Sequence, residues 1–185
     1  MQVAAVFALF VSLLAAAPSV AQERATSMAG TVGERWSLVK GQFVSLAEAM
    51  PADKYDFKPT TGAFKDVRTF GEQVKHVACA NVAFANEIAH KNPPPDCETG
   101  GTNPAHTKTE LLKYLRESFG ECDKAFAALT PGNALDPIDG RYGGPSTRLG
   151  MLTLAVWHAT DHYGQLVVYL RMNGIVPPAS AGAAR

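Results

Sequence analysis

Four stretches in which apolar residues return every three or four positions limit what this chain can fold into. Such spacing gathers them on one side of a helix. The first stripe is Met28, Val32, Trp36, Val39, Phe43, Leu46 and Met50, stopped by Pro51. The second opens on the capping-box pattern Thr69-Phe70-Gly71-Glu72 and runs through Gln73, His76/Val77, Ala80, Phe84 and Ile88, ending before Asn92 and Pro93–Pro95. The third opens on a second such box, Thr107–Glu110, continues through Leu111, Leu115, Ser118/Phe119, Cys122, Phe126 and Leu129, and ends at Pro131-Gly132. The fourth starts near Pro145 and Ser146, carries Met151, Leu154/Ala155, His158, His162, Gln165, Tyr169 and Met172 on its apolar side, and ends at Asn173-Gly174. No intervening segment alternates as a half-buried strand does. The pattern predicts an all-α fold, a four-helix bundle with helices of about 20 to 27 residues.

Ahead of the first stripe, residues 1–21 carry no charge and end in Ser19-Val20-Ala21, a small-x-small cleavage pattern. The apolar run Val3–Ala17 has the length of a signal-peptide core and falls short of a membrane span. We therefore expect a cleavable signal peptide over 1–21 and a single domain over 22–185, periplasmic or secreted, with no stable membrane association after cleavage. The usual positive segment before the apolar run is missing, so a retained anchor is the alternative.

Lysine plus arginine equals aspartate plus glutamate at 17 each. This balance, with no basic stripe, gives no electrostatic basis for binding nucleic acid. Three cysteines, Cys79, Cys97 and Cys122, allow at most one intrachain disulfide, and none of the spacings forms a CxxC motif. The Pro-rich loop holding Cys97 can reach the next helix, which favours Cys97–Cys122 among the three pairings. Of the connections, residues 51–68 contain Tyr55, Phe57 and Phe64, and a long aromatic loop of this kind is expected to pack over a bundle end.

The chemistry-bearing feature is the pair His158 and His162. Four residues along a helix turn through about 400°, so the two rings differ by only ~40° in direction and about 6 Å in height. Both can approach one cation from the same face, as in HExxH motifs, although here the segment reads His-Ala-Thr-Asp-His without the glutamate. Catalytic zinc-type sites take three protein ligands and keep a position open. His76, on the inward stripe of the second helix, is the third candidate. His90 follows at that helix's end and His106 lies in a loop before a cap, so both read as surface or capping residues. If the site were closed by a fourth ligand, Cys79, Asp161 or Glu72 would be the candidates. Asp161 and Gln165 are also candidates for lining the pocket, whereas Trp157 and Tyr163 read as packing residues and Arg171 as a cap of the helix C-terminus.

The blocks Asp53–Thr60 (DKYDFKPT), Arg68–Ala78 (RTFGEQVKHVA) and His158–Pro178 (HATDHYGQLVVYLRMNGIVPP) resemble the DinB-like superfamily of metal-dependent four-helix bundles. The resemblance covers essentially the whole chain after residue 21, in order. It implies a bundle of DinB-like type in which His76, His158 and His162 hold a divalent metal, zinc or nickel, in an open pocket. Similar proteins include thiol-dependent transferases and an isomerase that use cytosolic thiols, a role that export would disfavour. The function expected is that of a metal-dependent enzyme, hydrolase or transferase in type, acting on an unknown small-molecule substrate. The alternative is a non-catalytic exported metal-binding or helical interaction protein. Pairing into a homodimer through a helix face suits such bundles.

Overall fold

The structure, a computed structural model, describes residues 27–182. The expected signal peptide at 1–21 lies outside them. Four long helices, α1 (Met28–Ala49), α2 (Phe70–Ile88), α3 (Lys108–Ala127) and α4 (Arg148–Met172), are followed by a short α5 (Pro178–Ala181). Among the described residues no helix is long and apolar enough to cross a membrane.

The start signals act as their chemistry dictates. Thr69 and Thr107 each accept a hydrogen bond from the amide three residues on. Glu72 and Glu110 reach back to the cap amides at 2.7 and 3.0 Å. Ser27 caps α1 and Thr147, one residue later than Ser146, caps α4. Gly174, at φ +74°, supplies the left-handed turn that releases the chain from α4.

In the bundle α1 and α2 each pack against both α3 and α4. Helix α1 runs antiparallel to α3: near its start Trp36 stacks on Phe126 at 4.9 Å, and near its end Glu48 pairs with Arg116. Helix α2, in contrast, runs parallel to α3. Gly71 lies beside Leu111, and ten residues later Asn81 meets Ser118 and Cys122. Helix α4 is antiparallel to α2, with His158 against Phe84 at one end and Tyr169 bonded to the Arg68 carbonyl at the other. Two parallel helices in succession need a long return, and α2 is about 28 Å long at 1.5 Å per residue. Residues 89–107 make that return, back alongside α2.

Trp36, Phe43, Leu115, Phe119, Met151 and Leu166 are among the fully buried core side chains. Each contributes on the order of 1.5–3 kcal/mol by leaving water. The aromatic loop closes one end as expected in part. Tyr55 is buried and donates to the Ala47 carbonyl at 2.7 Å, and Phe57 sits edge-on to Tyr169. Phe64 remains 39% exposed.

Three expectations need correction. The disulfide joins Cys79 to Cys97, not Cys97 to Cys122, with Cα atoms 5.3 Å apart. The returning segment lies over α2 and places Cys97 on Cys79. Cys122 instead points from α3 into the α2–α3 interface, where its thiol meets the Asn81 carbonyl at 3.2 Å and burial raises its pKa. A two-residue antiparallel pair, Pro137–Ile138 with Ser146–Thr147, also exists. Strands this short carry no readable alternation. On α4, Met172 and Trp157 face outward, Trp157 at 62% exposure, and Gln165 leaves the apolar stripe to stand, as the pocket reading expected, on the wall of the cavity beside the histidines. Tyr163 does pack partly against the core, and Arg171, in the last turn, bonds Ser180 of α5.

Candidate metal centre

His76, His158 and His162 come together between α2 and α4. One ligand atom from each lies within 4.8 Å of the others, and the ring centroids are 4.6–5.0 Å apart. The one-turn spacing on α4 does what helical geometry requires, and the antiparallel crossing of α2 brings His76 opposite the pair. His76 and His162 are buried, and His158 is partly covered beneath the edge of Phe84.

The second nitrogen of two rings is already committed. His76 Nδ1 donates to the Cys97 carbonyl at 2.7 Å, and His162 Nδ1 donates to Gln73 Oε1 at 2.8 Å. Both acceptors are oxygens that cannot donate, so these rings carry hydrogen on Nδ1 and keep the lone pair on Nε2. Such outer contacts orient imidazole ligands in metal sites. His158 Nδ1 has no hydrogen-bond partner among the described residues. Its Nε2 lies 3.1 Å from His76 Nε2, close to the ~3.3 Å that separates two nitrogens sharing a tetrahedral ion at about 2.0–2.1 Å.

Burial is the main cause that keeps all three rings neutral. It holds His158 down to about 3 and His162 to about 4, from 6.5, with the neighbouring imidazoles adding to the effect. His76 is lowered for the same first reason, its bond to Cys97 opposing. Three neutral lone-pair donors buried together, one ring nitrogen unpartnered, fit a divalent cation of borderline softness. The cluster can hold such an ion.

The other candidates are placed elsewhere. Cys79 is consumed by the disulfide, and the Glu72 carboxylate bonds the Thr69 amide. Asp161 is exposed and accepts from Gln165 at 2.8 Å. None of the three can complete a closed four-ligand site as it stands. His90 and His106 are exposed and stand outside the cluster.

Beside the cluster lies a cavity of about 910 Å³, walled by Arg68, Gln73, Glu98, Phe64, Val168 and Tyr169 among others. Gln73 belongs to both, since it lines the cavity and holds His162. At this wall Arg68 donates to the Glu98 carbonyl at 2.6 Å and pairs with its carboxylate at 2.9 Å. Tyr142 reaches the other carboxylate oxygen at 3.4 Å, and its phenol is pushed up to about 12, chiefly by burial. The sequence marked Gln73 as an inward position, and its service to His162 could have been read from a polar residue on an apolar stripe three positions before His76. The Cys97 carbonyl, being backbone, leaves no signal in the sequence.

A helical bundle with three inward imidazoles and an adjoining cavity defines a class, and comparison with known proteins places the chain within it. Residues 35–166 match the DinB superfamily, and the chain belongs to that superfamily. It is 29% identical over 132 residues to YjoA of Bacillus subtilis strain 168, described as an uncharacterized protein, covering 70% of this chain and 80% of YjoA. The crystal structure of the DinB-like YjoA aligns with a TM-score of 0.57 at 25% identity, over 78% of this chain and 92% of that one. A DinB-like protein from Bacillus cereus ATCC 10987 aligns at 0.65 and 16% identity, over 82% and 95% of the two chains. A conserved protein from Enterococcus faecalis aligns at 0.59 and 20% identity, over 80% and 98%. These last two likenesses concern the fold alone.

Proposed function

We propose that this protein is an exported metal-dependent enzyme, hydrolase or transferase in type, that holds zinc or nickel on His76, His158 and His162. The observation that carries the reading is the convergence of three neutral imidazoles, two of them fixed by Gln73 and Cys97, with no fourth protein ligand in reach among the described residues. A divalent ion bound there supplies Lewis-acid polarisation at its free coordination positions. The chain's own groups do the rest. Gln73 and the Cys97 carbonyl orient the ligands, Phe84 shields His158 from water, and the neighbouring cavity offers room for a small substrate between apolar walls and the Arg68–Glu98 pair. Export is supported by the leader-like residues 1–21 and agrees with a disulfide-bonded chain.

Cobalt(II) substitution tests the open site. The visible bands of a cobalt-loaded protein should shift when a small anion such as azide or a thiol is added, because a coordination position is free. Bands indifferent to both would point to a closed site and to the non-catalytic metal-binding alternative.

A further inference from the structure

The segment that returns along α2 is fastened over the histidine cluster. Cys97 is bonded to Cys79, one turn beyond His76, and the carbonyl of the same Cys97 takes the His76 Nδ1 hydrogen. Next in the chain, Glu98 is held by Arg68 through both its carbonyl and its carboxylate. Gly100 at φ +92° and Gly101 at φ +71° let the backbone lie against Lys75 and Cys79, where any Cβ would collide with their side chains. The only covalent member of this set is the disulfide. Beside it stand the buried His76–Cys97 hydrogen bond and, at Glu98, solvent-exposed hydrogen bonds with a part-exposed ion pair, which open at little cost.

We propose that the Cys79–Cys97 disulfide is a positioning element of the metal centre, which makes metal affinity depend on the redox state of the chain. The bond keeps the Cys97 carbonyl in place, and the carbonyl keeps His76 protonated at Nδ1 and presenting Nε2 to His158 and His162. Reduction by a dithiol breaks the S–S bond with two electrons and two protons, leaving two thiols on the chain and a disulfide on the reductant. The returning segment is then free to lift, and His76 loses its acceptor. Cys122, buried at the α2–α3 interface, takes no part. This rests on the metal reading of the cluster. Cys79 and Cys97 pack with Ala83 in a small cluster apart from the main core, so the four helices pack on one another without contacts from this bond.

The test compares zinc affinity, by competition with a chromophoric chelator, across four preparations. These are the oxidised wild type, the wild type reduced by a dithiol and freed of it by anaerobic gel filtration, a Cys79→Ser/Cys97→Ser double variant, and Cys122→Ser. Circular dichroism shows which remain folded, and the reduced wild type decides if the double variant does not. Reduction and the double substitution should each weaken zinc binding by about 10–100-fold, the usual effect of losing an outer partner of a histidine ligand, with Cys122→Ser unchanged. Long-range proton–nitrogen NMR of the metal-free protein should show His76 leaving the pure Nδ1–H tautomer in the same two preparations. Unchanged affinity and an unchanged tautomer would overturn the proposal. An oxidised wild type that binds no zinc overturns the metal reading and the proposal with it, and an altered tautomer in that case shows that the positioning contact itself exists.

Discussion

Gln73 accepts the Nδ1 hydrogen of His162 at 2.8 Å across the α2–α4 crossing, one turn before His76 on the same helix. A single α2 face therefore supplies one imidazole of the cluster and steadies another. Replacing Gln73 by Leu keeps the volume and the buried position and removes the acceptor. The variant leaves the buried His162 N–H without a partner, so it should stay folded at a cost of about 1–3 kcal/mol and bind zinc about 10–100-fold more weakly. Chelator competition measures this, and an affinity equal to wild type would show that the contact does not tune the ligand.

Asp123 ties α3 to α1 by accepting from the Trp36 indole and the Lys40 ammonium, each at 2.8 Å. Trp36 is 1% exposed, so Asp123→Ala leaves a buried N–H without a partner. Urea unfolding should show a loss of about 1–3 kcal/mol with an unchanged slope. Lys40→Met breaks only the half-exposed ion pair and should cost no more than about 1 kcal/mol.

The capping box of α3 predicts a pH dependence. Glu110 accepts from the Thr107 and His106 amides, and these bonds hold its carboxyl at about 2, below 4.5. The stabilisation is present above pH 4.5 and is lost as the pH falls through 2, because the folded state then takes up the proton that the unfolded chain already holds. Thermal melts between these limits should therefore fall less steeply in Glu110→Gln than in the wild type. Parallel curves would show that the carboxylate is not differentially stabilised.

The helices, both capping boxes and the convergence of the three histidines were legible because each rests on local pattern. One turn separates His158 from His162 wherever that helix lies, and an inward stripe on α2 could present His76 to nothing but the core. The order of packing was not legible. Nothing local says that α2 and α3 run parallel, so the return of residues 89–107 along α2 could not be foreseen. With it went the choice of Cys79 over Cys122 as the partner of Cys97. Gln165 and Trp157 show the same limit on a smaller scale. They fit the α4 periodicity loosely, but only the neighbours in space determine which arc of a long helix is covered.

The central claim is that His76, His158 and His162 bind one divalent ion. Elemental analysis of untagged, freshly purified protein beside a His158→Ala variant tests it most directly. About one zinc or nickel per wild-type chain, and almost none in the variant, is the predicted result. Equal metal content in the two, with both proteins folded, would contradict it.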